Sequence, residues 1–368
     1  MKEKNNFVEF LRFVFCCIIV VHHSLDPNAG ERLNFFVSGA LAVEFFYIVT
    51  GYFAIKHVEE KKDSINGMVD ATKYTVRKLQ RLLPYTVIAI LGAYLFDFIA
   101  FRHLPLIERL MRFQNLPSEI LMMPMTGQIT LSIEEYRCAQ LWFLSSMLLA
   151  LPLVIYACRK FNDVFKGYLV WFLPSMLLFH LANAWGSIAA WNVYENFFFS
   201  GTIRAIADLM LGGAAYYAVR FIKERAYEPK ATMRVVYTFC EFAMLVFVVL
   251  SCHRSSLTSS DQIFVTGVIW TMLVISLSGI SYTGKMFSGA LSPLWRFLGN
   301  LSMPVFCLHW TVFKYLGTYL GDPIPYYGKL ALQFVIGAIF YLVISKTVAK
   351  IKKRPAKTAE PAPSKEKA

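Results

Sequence analysis

The sequence predicts an all-α polytopic membrane protein with about ten transmembrane helices and both termini cytoplasmic, and three observations carry that reading. Hydrophobic residues make up 57% of the 368 and charged residues only 17%, with a mean hydropathy of +0.49, far from the charge-rich balance of a water-soluble domain. Apolar runs of about 20 residues recur along the chain. At a helical rise of about 1.5 Å per residue, each is long enough to cross a hydrocarbon core about 30 Å thick. The basic residues fall between these runs in alternate loops, as retention on the cytoplasmic side demands.

In chain order the expected spans lie at 7–25, 35–56, 82–101, 140–158, 168–184, 200–220, 234–252, 262–280, 296–316 and 329–349. The stretch from Phe7 to Val21 lacks a small-residue cleavage site and is followed by many more apolar runs, so it reads as a first spanning helix rather than a cleaved leader. With the N-terminus inside, the cytoplasmic segments hold 26 Lys and Arg and the outer loops 8. That asymmetry sets the orientation and accounts for the net charge of +13 without a nucleic-acid partner. The loop from Arg102 to Gln140 mixes Pro105, Pro117 and Pro124 with Leu, Phe and Met, and is expected to fold over the outer mouth. Residues 1–350 are expected to form one membrane domain. Residues 351–368, rich in Pro, Ala, Lys and Glu without apolar periodicity, are expected to be a disordered basic tail.

The seven cysteines form no CxxC or Cys/His ligand spacing, so neither a metal site nor a disulfide framework is expected, and Cys16 and Cys17 read as packing residues. Nothing matches GxSxG, HExxH, a P-loop or a Rossmann fingerprint, which leaves hydrolase, zinc-protease and nucleotide-hydrolysis readings without support.

Polar groups inside hydrocarbon are costly, so each is a candidate for function. Arg12 and His23 share the first span with ten residues between them. Eleven steps of 100° fall within about 20° of three full turns, so both project from one face, about 16 Å apart along the axis. The Arg suits an anionic ligand, and a His can take a proton from an attacking alcohol because its unperturbed pKa is about 6.5. The same residues at helix ends also serve as interfacial anchors. His22 points about 100° away from His23, so His23, on the face of Arg12, is the candidate base. Glu44 lies well inside the second span, where a lone carboxylate costs several kcal/mol. Arg12 or one of the histidines is its expected partner. Arg77, Lys78 and Arg81 cluster at the approach to the third span, a patch suited to phosphate that ordinary positive-inside charge also produces. Arg204 and Asp208, at i and i+4, read as a structural pair. His309 stands isolated in an apolar helix, and Trp142, at an outer helix start, fits an aromatic belt.

These pieces, in this order, resemble the acyltransferase-3 family of integral membrane O-acyltransferases. Arg12 and His23 fit its first-helix pattern, and Glu44 before Phe45 and Phe46, closing on Thr50, Gly51 and Tyr52, fits its second. Lys78, Arg81 and Pro84, beside Arg77, fit the basic third-helix entry. Leu141 to Leu144 around Trp142, Arg204 with Gly212, and Ser302 through His309 complete the set. Thr50, Lys78 and Met303 stand where Ser, Arg and an aromatic residue are usual. The resemblance covers about residues 7 to 349 and implies transfer of an acyl group, commonly acetyl, from cytoplasmic acyl-CoA (acetyl-CoA) to a hydroxyl of a carbohydrate. The implied acceptor is a surface polysaccharide or its lipid-linked glycolipid precursor, the implied location a bacterial plasma membrane, and no metal or permanently bound cofactor is implied. On that resemblance Arg77, Lys78 and Arg81 hold the CoA phosphates, Arg12 orients the thioester or its pantetheine, His23 deprotonates the acceptor, and Glu44 orients His23 or anchors Arg12. His309, Trp142 and Arg204 are further candidates. A proton-coupled transporter or flippase of a glycan or lipid would use the same buried Arg, His and Glu as a relay. The oligomeric state stays open.

Overall fold

The computed structural model describes residues 5–24, 35–61, 67–126, 136–195, 198–254, 257–319 and 326–352. Most of the expected disordered tail lies outside them. Helix α1 (Asn6–His23) is capped by Asn5, whose side chain accepts from the backbone N–H groups of Phe7 and Val8, donors that the first turn leaves free. It is followed by α2 (Ala42–Glu60) and α3 (Gly67–Ala100), then by two short helices, α4 (Leu106–Met111) and α5 (Leu116–Ile120). Next come α6 (Trp142–Lys160), the single turn α7 (Asn162–Val164) and α8 (Val170–Trp185). An antiparallel hairpin of β1 (Tyr194–Glu195) and β2 (Phe198–Phe199) pairs Tyr194 with Phe199 and leads into α9 (Ser200–Glu224). The chain closes with α10 (Ala231–His253), α11 (Ser259–Ser278), α12 (Thr283–Met286), α13 (Ser292–Tyr319) and α14 (Tyr326–Lys352).

Nine helical stretches among the described residues are long and apolar enough to cross a membrane, and they coincide with nine of the predicted spans. The tenth, 296–316, lies inside α13, a helix of 28 residues. Burial sorts these helices into layers. The apolar stretches of α1, α2, α6 and α9 are 56, 72, 67 and 56% buried, whereas those of α8, α10 and α14 are 28, 28 and 22% buried, so the first four form the centre and the last three face lipid. Lipid tails are as apolar as leucine, so close backbone packing must hold the centre together. The α2–α9 contact supplies it: a Cβ on Gly51 would collide with the carbonyl of Leu209, and one on Gly212 with that of Ile48.

The third span differs from expectation. Arg77, Lys78 and Arg81 do not sit at a helix entry, because α3 begins ten residues before Arg77 and continues for 34 residues through Pro84. Residues 67–80 hold no helix breaker beyond the first glycine, and Pro84 removes only one intrahelical donor. The charged stretch is therefore the solvated first part of a long helix rather than a loop.

The described part of the outer loop docks on α3 and on the start of α6. Asp97, 2% exposed, accepts from Arg112 at 2.6 and 3.0 Å and pairs with Arg137 at 3.3 Å. Glu119, 1% exposed, accepts from Tyr94 Oη at 2.9 Å and from the backbone N–H groups of Arg137 and Cys138 at 2.6 and 3.1 Å. Burial outweighs these bonds and pushes the Glu119 carboxyl up to about 6.

Candidate active site

The last residue of α1 meets the middle of α13. His309 Nε2 lies 3.1 Å from His23 Nδ1, and His309 Nδ1 lies 2.6 Å from the carbonyl oxygen of Phe306. The hydrogen-bond network assigns the protons, since a carbonyl can only accept. His309 therefore donates from Nδ1, and its Nε2 accepts from the Nδ1–H of His23. In this neutral dyad, the lone pair of His23 Nε2 remains available to take a proton. The isolation of His309 in the sequence is thus only apparent. His22 turns aside, with its Nδ1 2.8 Å from the carbonyl oxygen of Phe36.

At the other end of α1 a cavity of about 1020 Å³ opens among helix ends that the charge asymmetry places on the cytoplasmic side. Six cations line it (Arg12, Lys56, Lys78, Lys223, Lys285 and Arg296) against two carboxylates, Glu9 and Glu60. Glu9 holds Arg12 at 3.1 Å, and Lys78 donates to Thr50 Oγ1 at 3.2 Å. A wall of small and polar residues, including Gly279, Gly284, Ser288, Gly289 and Ser292, completes one side. Of the three basic residues singled out on the third span, only Lys78 faces this cavity. Arg81 is exposed, and Arg77 lines a separate groove with His57, Lys61, Asp70, Lys73 and Arg159. Lys56, Lys223, Lys285 and Arg296 come from four further helices, α2, α9, α12 and α13. No spacing in the sequence marks them as one site.

Glu44 does find a cation, but not the expected one. Arg204, fully buried, donates from Nε to Glu44 Oε1 at 2.8 Å, and its Nη2 stands 2.5 Å from the same oxygen. The remaining guanidinium donors go to the carbonyl oxygens of Ala189 at 3.1 Å and Ala40 at 2.8 Å. Glu44 therefore neither orients His23 nor anchors Arg12. The expected Arg204–Asp208 pair is also corrected: Arg204's hydrogen bonds go to Glu44 and to backbone, while both Asp208 oxygens and Glu44 Oε2 are buried without a hydrogen-bond donor. Among the described residues Glu44 alone pairs with the guanidinium, and Asp208, fully buried, lies one helical turn from Arg204 at the packed core of α2 and α9. Trp142 is no belt residue either. At 7% exposure it stacks on Trp191, ring centres 5.0 Å apart, with the Arg204 guanidinium 5.7 Å from its ring. No group of three or more His, Cys, Asp or Glu among the described residues is arranged to hold a metal ion.

A histidine pair at one end of α1 and a cavity lined by cations at the other thus lie along one transmembrane helix. The profile of a family described as an acyltransferase domain matches residues 5–349, and the chain belongs to that family, acyltransferase-3. It is a multi-pass membrane acyltransferase. Neither a curated protein nor a solved structure matches it.

Proposed function

We propose that this acyltransferase moves an acetyl group from cytoplasmic acetyl-CoA to a hydroxyl of a cell-surface polysaccharide or its lipid-linked precursor, in a bacterial plasma membrane. The observation that carries the proposal is the layout along α1: a cavity lined by six cations at the inner end and a free imidazole lone pair at the outer end. The cavity cations Lys56, Lys78, Lys223, Lys285 and Arg296 take the phosphates of the donor. Arg77 and Arg81, outside the cavity, add only to the field that draws the donor in. Arg12 lines both the basic cavity and the small apolar cavity outward of it, so it stands where the donor passes from one to the other. Its place is against the donor's pantetheine arm.

His23 Nε2 removes the proton of the acceptor hydroxyl as that oxygen attacks the thioester carbonyl. The tetrahedral intermediate collapses with cleavage of the carbon–sulfur bond, and the proton held by His23 passes to the departing thiolate. His309 is a positioning residue, since it holds the His23 ring in the tautomer that leaves Nε2 basic. Glu44, Arg204 and Asp208 brace α2 against α9 and do not touch the reactants.

The test incubates the purified chain with radiolabelled acetyl-CoA and envelope polysaccharide, beside His23→Ala. Label in the polysaccharide with wild type and a fall of about 10²- to 10⁴-fold in the variant are expected. Equal yields would remove His23 from its role. Movement of glycan across a vesicle membrane without consumption of acetyl-CoA would replace the acyl-transfer reading by a flippase.

A further inference from the structure

A second, much smaller cavity of about 50 Å³ shares Arg12 with the basic cavity and runs outward from it. Its walls are the side chains of Ile19, Val43, Phe46, Phe143, Met303 and Phe306. Ser302, the one hydroxyl in the lining, is committed, donating to the carbonyl of Gly299 at 2.7 Å. Arg12 is therefore the only charged group, and it stands at the inner end. At the other end the wall adjoins the histidine dyad: the ring of Phe306 lies 5.6 Å from that of His309, and Ile19 is one helical turn below His23. Phe143 meets Phe306 at 5.7 Å and Phe46 at 6.3 Å, both edge-on, so the aromatic walls brace one another.

We infer that this cavity seats the acyl group of the thioester and that Phe46, Phe143, Met303 and Phe306 limit the length of chain the enzyme accepts. The inference rests on the acyl-CoA reading above. Size argues for the occupant. A cavity of about 150 Å³ accepts benzene, six heavy atoms, so one of about 50 Å³ has room for roughly two to three. An acetyl group has three. Position argues for it as well, since a donor entering from the basic cavity passes Arg12 and places its terminal carbonyl beside the dyad. Each further methylene has to displace packed rings. Overfilling a close-packed site is costly, and pockets of this kind discriminate about 10- to 200-fold per methylene.

The experiment needs no acceptor. Radiolabelled acetyl-CoA is bound to the full chain in detergent and competed with free CoA, acetyl-, propionyl-, butyryl- and hexanoyl-CoA. The same series is run on Met303→Ala and Phe46→Leu, with the elution profile of each variant checking its fold. In wild type, butyryl-CoA is expected to need at least tenfold more than acetyl-CoA for half displacement. In at least one variant that elutes like wild type it should come within threefold. Competition independent of chain length in wild type, or the wild-type ranking retained in both variants, overturns the assignment of the cavity while leaving acyl-CoA as donor. No saturable binding of acetyl-CoA to wild type overturns the donor reading and the cavity assignment together.

Discussion

Replacing Arg204 with Met perturbs the buried triad without touching either cavity. Arg204 gives hydrogen bonds to Glu44 and to the carbonyls of Ala189 and Ala40, and it is 0% exposed. The variant therefore leaves a carboxylate without its cation and two carbonyls without a donor. Removing one partner of a buried pair costs about 3–5 kcal/mol, and each carbonyl left unpaired away from water adds about 1–3. The packing of the Met side chain recovers part of this, so a net loss of about 5 kcal/mol is expected. At about 2.1 cal/mol/K per residue, the unfolding entropy of 368 residues is about 0.8 kcal/mol/K, so Tm should fall by about 6 °C. Thermal unfolding in detergent at one fixed scan rate measures this, since the unfolding of large proteins is commonly irreversible and its midpoint rate-dependent. Adding Glu44→Gln to Arg204→Met should return about half of the loss, because a neutral amide replaces the stranded charge. A fall below about 2 °C for Arg204→Met, or no recovery in the double variant, would refute the claim that Arg204 neutralises Glu44.

Two further outcomes follow from the dyad and the outer loop. His309→Ala should lower kcat for acetyl transfer by about 10- to 100-fold, less than His23→Ala, with KM for acetyl-CoA unchanged. His309→Gln, whose amide oxygen can still accept from His23, should restore part of it, and wild-type kcat in His309→Ala would show that the ring is not held this way. Glu119 supplies a pH dependence. Its carboxyl is raised from 4.5 to about 6 in the folded chain, so the native state holds the proton more tightly than the unfolded one. Its contribution is full below pH 4.5 and is lost as pH rises through about 6, a loss of about 2 kcal/mol. Hydrogen exchange at the Arg137 and Cys138 amides should accordingly show less protection at pH 7 than at pH 5 after correction for the intrinsic rate. Glu119→Gln should flatten that difference, and a slope of the opposite sign would exclude the assignment.

The spans were legible because length and apolarity alone decide what can cross a bilayer, and nine of them recur as apolar helices. The shared face of Arg12 and His23 was legible because helical spacing is a local property. Partners across helices were not. Glu44 announced that it needed a cation, yet its partner stands 160 positions away on α9, and no single-sequence pattern connects the two. His309 announced itself by isolation, while its pairing with His23, 286 positions apart, depends on how α13 lies against α1. The basic cavity was least legible: Lys56, Lys223, Lys285 and Arg296 each pass as ordinary positive-inside charge, and only the fold brings them together. Residues 77–81 misled for the converse reason. A dense local cluster looks like a site, but consecutive residues of a helix point around it, and one of the three basic residues reached the cavity.

The length of α3 bears on how a water-soluble donor meets a membrane enzyme. Its 34 residues span about 51 Å, against a hydrocarbon core of about 30 Å, and residues 82–100 alone cover nearly all of that core. The first four turns therefore stand in the cytoplasm, and Lys78 enters the cavity close to the plane where water ends. A nucleotide carrying several phosphates can dock there while its charges remain hydrated. For the acyl-CoA donor proposed above, only the uncharged arm and its acyl end would enter the low-dielectric interior, which spares the cost, tens of kcal/mol for a bare ion, of drawing phosphate into hydrocarbon.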